Sequence, residues 1–400
     1  MAKIRQRIEA LNQELIELRR DFHRHPELGF QEHRTAEVVE TYLQKLGIET
    51  QRVSTTGVVG LLVGKKPGPV LMLRADMDAL PVAEENDLPY KSNNAGVSHA
   101  CGHDAHMAML LVAAKVLSEN RDELAGTIKF VFQPDEEVAG AIRMIKDGVL
   151  ENPRVDAAIG MHIWTPLESG KISITPGTVL SSLEVFKVTI HGKGGHTGSP
   201  ESAVDPIIAA ANLIQTVQLI QTREISHLKS TIIMFGKING GTKSNIIPEK
   251  VVLEGSIRFL YVGGPDSAEQ PVERFRRVAH AVCETHQCTC DIEIQTENIP
   301  LVNDDKMVRL AKDTAEKIFR KDAIVESRYL ASEDFSFFSA KVPAVYMFLG
   351  SGNQSKKTDL PHHNCRFNID EDTLHLGVEM YIRTAIDFFN GVERSLDLRE

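Results

Sequence analysis

Glu184-Val185-Phe186-Lys187-Val188-Thr189-Ile190 alternates, with Phe186, Val188 and Ile190 on one face and Val185, Lys187 and Thr189 on the other. A period of two sends successive side chains to opposite faces, so this stretch reads as a half-buried strand. Downstream the pattern predicts a helix over Val204 to Gln221, strands over Thr231 to Ile238 and Lys250 to Leu260, a helix over Pro271 to Thr285 and a strand over Thr289 to Gln295. That order, βαββαβ, is the ferredoxin-like pattern. The flanks read differently. Helices are expected to about Arg20 and from Arg34 to Leu46, where Gly47 stops the second. Buried strands at Val58 to Val63, Val70 to Arg74, Thr127 to Phe132 and Ala157 to Ile163 alternate with helices at Asp104 to Asn120 and Ala139 to Leu150. The pattern resumes with a helix from Asp304 to Arg320, a strand from Val342 to Leu349 and a helix from Glu371 to Phe389. Such alternation predicts an α/β domain with a mixed, largely parallel sheet. The expectation is therefore a discontinuous α/β domain over residues 1–182 and 296–400, interrupted by a ferredoxin-like domain over residues 183–295.

Composition agrees with a folded, two-domain chain. Its 400 residues are 42% hydrophobic and 25% charged, enough apolar surface for full cores and too much for disorder. The 45 basic and 55 acidic residues give −10, without a long basic block, so the electrostatic footprint of a nucleic-acid or membrane-surface binder is missing. The longest apolar run, Met107 to Ala114, falls far short of the ~20 residues of a membrane span. The N-terminal residues Ile4, Ile8, Leu11, Leu15 and Leu18 have helical spacing rather than a signal-peptide core. Five scattered Cys do not read as a disulfide framework, and the expected location is the cytoplasm.

The chemistry gathers in loops beside the α/β elements. Ser98-His99-Ala100-Cys101-Gly102-His103-Asp104-Ala105-His106 packs three His and one Cys into a helix entrance. Thiolate and imidazole are zinc donors, although a helix cap with a buried Cys explains the segment alone as well. Gln133-Pro134-Asp135-Glu136-Glu137 places adjacent carboxylates after a strand, either a solvated acidic turn or part of a site at the strand ends. His162 in Gly160-Met161-His162-Ile163-Trp164 reads as a core residue or a ligand, and Leu360-Pro361-His362-His363-Asn364-Cys365 adds paired His. Asp76 and Asp78, two apart past a buried strand, suit one of them to orient a metal-bound His. Together these loops offer a donor set for one or two transition metals with hydrolytic chemistry. A further run, Cys283, His286, Cys288 and Cys290, reads as packed or exposed thiols, with a structural zinc site as the other reading.

The motifs Arg74-Ala75-Asp76-Met77-Asp78-Ala79-Leu80-Pro81, Ser98 to His106, Asp135-Glu136-Glu137, Gly194-Gly195-His196, Ser244-Asn245-Ile246-Ile247-Pro248 and Ser332-Glu333-Asp334-Phe335 occur in one order along the chain. In this the sequence resembles the N-acyl-amino-acid amidohydrolases, the aminoacylase-like branch of the cocatalytic-metal carboxypeptidases that includes hippurate and indole-acetyl-amino-acid hydrolases. The likeness runs from Asp21-Phe22-His23-Arg24-His25-Pro26-Glu27 to the last helix. It implies an inserted domain that serves as lid and dimer interface, so a homodimer or higher homo-oligomer. It also implies two divalent ions per subunit, zinc first, with manganese, cobalt or nickel as alternatives. The implied ligands are Cys101, His103, Glu137, His162 and His363. His363 is chosen over His362 because the family's His-x-Pro-x-Phe ends here at Phe367, with Cys365 in place of the Pro, which adds a thiol to that loop. Glu136 matches the general base and Asp78 the carboxylate supporting the metals, while Asp76 stands where related branches carry a ligand His.

The resemblance further assigns His196 to the carbonyl oxyanion or the substrate carboxylate, and Asn245 to a substrate contact where a turn residue is the plain alternative. Arg258 either grips a substrate carboxylate or is a solvated strand residue. The expected reaction is metal-dependent hydrolysis of an N-acyl amino acid to a carboxylic acid and a free amino acid, with cleavage of short peptides as the runner-up. The expected partners are thus small molecules, with no nucleic acid and no membrane.

Overall fold

The computed structural model describes residues 2–138, 140–262 and 268–392. They form two compact units. The first comprises the chain up to Gly177 together with Val302–Ser327 and the residues from Asp334 onward. The second comprises Thr178–Leu301 and Arg328–Glu333, wider than the stretch 183–295 read from the pattern. Hydrogen bonds explain the added segment: the Ser181 N–H donates to the Ala331 carbonyl at 2.9 Å, and Arg258 Nη1 donates to that of Leu330 at 3.0 Å.

The first unit is built on an eight-stranded sheet in the order Glu49–Val53, Gly57–Val63, Ala125–Gln133, Lys66–Asp76, Ala157–Glu168, Ala344–Gly352, Ile172–Ser173, Ile324–Val325. Its four central strands are mutually parallel and the Gly57–Val63 side is antiparallel, a mixed sheet. The helix His103–Glu119 is apolar nearly all round and buried along almost its whole length, as a helix enclosed on every side must be. It packs on Lys66–Asp76, on Asn12–Arg24 and on the C-terminal helix Leu374–Val392. Because Asp76 pairs with Gln133 and Arg74 with Gly160, the residues just beyond these pairs arrive at one end of the sheet. These are Asp78, the 134–137 turn and His162. A parallel sheet thus gathers side chains from three separate loops.

In the second unit the strand Leu183–His191 keeps the expected alternation, with Phe186, Val188 and Ile190 in the core. The four strands lie in the order Thr231–Gly240, Lys250–Phe259, Leu183–His191, Thr289–Asn298, each antiparallel to its neighbour. The first and second strands in sequence are therefore parallel with a third between them, the split βαβ of ferredoxin-like folds. The helices Pro206–Thr216 and Pro271–Thr285 pack on the sheet and complete the apolar core.

Several expected elements end early, each for a local reason. The helix read over Ala139 to Leu150 runs only from Gly140 to Lys146 before Gly148 takes a φ of +84°, and Ala139 lies outside the described residues. That read from Val204 starts at Pro206, where Asp205 accepts a hydrogen bond from the Ile207 N–H as an N-cap. It closes at Thr216 and continues as a wider turn over Ile220–Glu224. The N-terminal helix divides at Leu11 into Ala2–Ala10 and Asn12–Arg24.

Lys129 is 2% exposed on a central strand. Its ammonium donates to the carbonyls of Val149, Glu151 and Pro153 at 2.9, 2.8 and 2.8 Å, closing the loop that precedes the Ala157–Glu168 strand. Replacing it with methionine keeps the stem and strands three buried acceptors. Urea unfolding of Lys129→Met is expected to show a loss of about 2–4 kcal/mol; an unchanged midpoint would show that the carbonyls find other donors.

Candidate metal centre

Asp78 is 1% exposed, and its two carboxylate oxygens face different elements. Oδ1 lies 3.2 Å from His103 Nδ1, which also stands 2.8 Å from the Asp78 carbonyl, while Oδ2 accepts the Glu137 backbone N–H at 3.1 Å. With two oxygen acceptors around it, Nδ1 carries the proton. The lone pair of His103 then belongs to Nε2, which is buried without a well-formed hydrogen bond. Gly102, at φ +93°, makes the sharp entry that brings Cys101 beside His103, and a Cβ there would sit 2.5 Å from Ile163 Cγ2. Donor atoms of Cys101, His103 and Glu137 all lie within 4.8 Å of one another.

His162 donates from Nδ1 to the Ile163 carbonyl at 2.6 Å and turns Nε2 to within 3.5 Å of Cys101 Sγ. Of the paired His, both border Cys101, but in different conditions. His362 is stacked on Trp164, its Nε2 accepts the Thr165 N–H at 3.3 Å, and its Nδ1 lies 3.2 Å from the Cys101 carbonyl and 3.7 Å from Sγ. His363, at φ +65°, swings Nε2 to 3.3 Å from Glu137 Oε1. Both nitrogens of His362 meet protein groups, although its ring also lies with Cys101 and His162 in a trio whose donor atoms are all within 4.8 Å of one another, a grouping that His363, beside Glu137, does not join. Among the described residues Cys365 belongs to no such donor group, so the thiol that the sequence adds to this loop stays apart from the cluster.

Electrostatics support a cation here. Hydrogen bonds to Cys101 and Glu137 raise the His363 pKa to about 10. Burial opposes charge on His103, yet Asp76, Cys101 and Asp78 raise its pKa well above the ordinary imidazole value. Burial pushes the Cys101 thiol up and the His162 imidazole down. Two imidazoles retain protons against burial because the surrounding carboxylates demand positive charge, a demand that divalent ions meet better. The residues present therefore fit two divalent ions.

Around the donors runs a polar lattice that sequence reading missed. Arg74, 1% exposed, donates from Nη1 to Asp76 at 2.7 Å, from Nη2 to Asp334 at 3.1 Å and from Nε to Gln133 at 2.9 Å. Asp334 also accepts the Ala141 N–H at 2.8 Å, and its own N–H donates to Glu136 Oε1 at 3.4 Å. Asp76 Oδ1 accepts from His106 Nδ1 at 2.6 Å, while His106 Nε2 accepts the Ile163 N–H at 2.8 Å. His106, with both nitrogens engaged, orients the strand bearing His162 and is not available as a donor. Glu136 is 7% exposed, with Oε2 3.9 Å from His103 Nε2. Arg74 and Asp334 fall in motifs visible in the sequence, but nothing in either motif names the other as its partner.

In the second unit, His196 is exposed on a two-residue strand paired with Ile246–Ile247, so His196 and Asn245 are neighbours: the Thr197 N–H donates to the Asn245 carbonyl at 3.3 Å. Arg258 is half-buried and anchors Leu330, not a solvated residue. The zinc reading of Cys283, His286, Cys288 and Cys290 does not hold. His286 Nε2 is taken up by Asn212 Nδ2 at 2.9 Å, and among the described residues no metal-donor trio includes this segment.

Comparison with known proteins follows the same lines. The model of peptidase family M20/M25/M40 matches residues 72–387. Thermostable carboxypeptidase 2 of Saccharolobus solfataricus is 37% identical over 395 residues, covering 97% of this chain and 98% of its own. The N-acetyl-L-cysteine deacetylase of Bacillus subtilis is 35% identical, covering 98% and 91%. Among solved structures, a Bacillus subtilis dinuclear metal-binding peptidase of the M20 family superposes with a TM-score of 0.82 at 30% identity, covering 96% and 99%.

The turn carrying Glu136 and Glu137 is anchored from behind by Glu32. Its Oε1 accepts the Asp135 N–H at 3.0 Å and its Oε2 the Thr56 hydroxyl at 2.6 Å. Asp135 has a φ of +52° and covers Gly29 so closely that a Cβ there would lie 1.8 Å from Oδ1. Burial, with the charge of Asp78, raises the Glu32 pKa from 4.5 to about 7. The folded state thus favours the protonated acid, and stability present below 4.5 is lost as pH rises through about 7. Urea titrations across this window are expected to show Glu32→Gln matching wild type on the acid side and exceeding it by about 1–3 kcal/mol on the alkaline side; a constant difference at every pH would remove the titration from Glu32.

Proposed function

Since the chain belongs to peptidase family M20/M25/M40 and is a metal-dependent hydrolase, we propose that it cleaves the amide bond of N-acyl amino acids, releasing a carboxylic acid and a free amino acid. The observation that carries this reading is the division of labour between adjacent carboxylates: Glu137 lies with Cys101 and His103 in the donor cluster, while Glu136 stands beside it with its Oε2 toward His103.

In this reading Cys101, His103, Glu137, His162 and His363 hold two divalent ions, zinc first by virtue of the thiolate, with manganese, cobalt or nickel compatible with the imidazole and carboxylate donors. Bound there, the ions supply Lewis acidity for the amide carbonyl and bring a water's pKa toward neutrality. Glu136 accepts the proton of the attacking water and returns it to the leaving nitrogen. Asp78 keeps His103 in the Nε2-donor tautomer. His196, Asn245 and Arg258 are assigned to the substrate's carbonyl and carboxylate. Short peptides are the second substrate class, because the carboxypeptidase relative and the deacetylase relative both carry names that imply an amide substrate.

The second unit is assigned a lid and dimerisation role. Its strand Thr231–Gly240 is a sheet edge bearing Met234 and Ile238 at 59% and 58% exposure, an apolar edge suited to a second copy. Among the described residues no helix is long and apolar enough to cross a membrane, and the five cysteines are free, which suits a reducing cytoplasm.

A hydrolysis screen of acetyl, benzoyl and indole-acetyl amino acids beside dipeptides, with each metal added back to chelated protein, tests the substrate class. Glu136→Gln is expected to lower kcat by about 10²–10⁴-fold with bound metal unchanged; retained turnover would take Glu136 out of the reaction. For the assembly, Ile238→Lys is expected to convert a dimer to a monomer in light scattering, and a wild type that is already monomeric contradicts the edge-strand assignment.

A further inference from the structure

The core-facing side of the strand Leu183–His191 carries a carboxylate where its alternation calls for an apolar residue. Phe186, Val188 and Ile190 pack into the core of the second unit, and Glu184, two positions earlier on the same face, is 6% exposed. One carboxylate oxygen accepts the Thr296 hydroxyl at 2.6 Å, and among the described residues the other has no hydrogen-bond or ion-pair partner. That second oxygen is not sealed in by protein atoms. Glu184 borders a cavity of about 340 Å³ at the first turns of the helix Pro271–Thr285, walled by Phe259, Val272, Ile294 and Ile299.

The charge of Glu184 is unmatched as well. Burial raises its pKa, the Thr296 hydroxyl alone lowers it, and no cationic side chain contributes. Among the described residues Arg276 is the one basic side chain lining the cavity, and it is engaged elsewhere. Its Nη1 donates to the Ile292 carbonyl at 3.2 Å and its Nε lies 3.7 Å from Glu273, a second acid on the cavity wall. A carboxylate in apolar surroundings is costly unless a cation or a proton joins it. We propose that this cavity binds a small organic ammonium with an apolar body, the ammonium on Glu184 and the body against Phe259, Val272 and Ile294. The volume is at the lower end of that of small-molecule sites, and apolar walls around one placed polar group are their usual make-up.

The cavity is separate from the residues assigned to substrate in this unit. Glu184 pairs with Ile257 and Thr296 at one end of the sheet. His191, roughly 23 Å further along the strand, pairs with Lys250 and Thr289 at the other end, from which the chain runs to His196 and Asn245. Arg258 neighbours Phe259 on its strand but belongs to the opposite face, where it binds the Leu330 carbonyl. Binding at Glu184 is therefore independent of the hydrolytic reading.

Isothermal titration calorimetry of the metal-loaded protein with 2-phenylethylamine reads the site. Saturable binding of one equivalent per chain is expected, and 2-phenylethanol, which has the same body without the charge, should bind at least about tenfold more weakly. Glu184→Gln keeps an acceptor for the Thr296 hydroxyl and removes the charge, and should weaken the amine by about tenfold or more. Val272→Trp fills the cavity while leaving Glu184 in place, and should abolish binding. Wild type alone decides the comparison of amine and alcohol, so the test stands even where a variant fails to fold. Absence of amine binding, equal affinity for the alcohol, or amine binding that both folded variants retain, as at the metal centre, overturns the proposal.

Discussion

One carboxylate, that of Asp78, ties together two of the loops that carry the candidate donor cluster. It binds the ring of His103 with one oxygen and the backbone N–H of Glu137 with the other, so two loops entering from different strands share a single buried anchor. Fixing the proton on Nδ1 turns the His103 lone pair toward the cluster. Fixing the Glu137 backbone leaves the neighbouring Glu136 side chain to take a different role. The second arm of this scaffold is Arg74, whose guanidinium joins Asp76, Gln133 and Asp334 and so ties the supports of His162 and Glu136 together. Burying so many carboxylates is costly without counter-charge. Arg74 supplies one fixed positive charge, and protons on His103 and His363 supply others until ions take their place.

The mixed α/β character of the chain was legible because two periodicities differ. Glu184 to Ile190 alternates and sits half-buried, while the Lys66–Asp76 and Ala157–Glu168 strands are buried along continuous apolar stretches of the central sheet. Candidate donor residues stand out in the sequence too, since Cys, His and paired Glu contrast with apolar strand ends. What stayed hidden was pairing across distance. Arg74 and Asp334 are 260 positions apart, and no local pattern declares their contact. Likewise Lys129 reads as an ordinary strand residue until three loop carbonyls converge on it. Helix lengths failed where a glycine turn or an N-cap overrode apolar spacing, at Gly148 and Asp205.

The His counts sort in the same way. Of the three His between Ser98 and His106, only His103 presents a lone pair to the cluster. His106 is engaged on both nitrogens, and His99 is buried, its pKa pushed down to about 4 by burial. Spacing cannot distinguish these three, because each ring's role is set by what its other nitrogen meets. The same principle separates His362, held by Thr165 and the Cys101 carbonyl, from His363 beside Glu137.

The central proposal is that Asp78 helps assemble a two-ion centre from Cys101, His103, Glu137, His162 and His363. Its most direct test is an anomalous difference map from crystals of the protein loaded with zinc or manganese. The account expects two peaks, each ligated from within that set, with His103 coordinating through Nε2 and neither His106 nor His362 coordinating. A single peak, or an ion bound by His362, would contradict it.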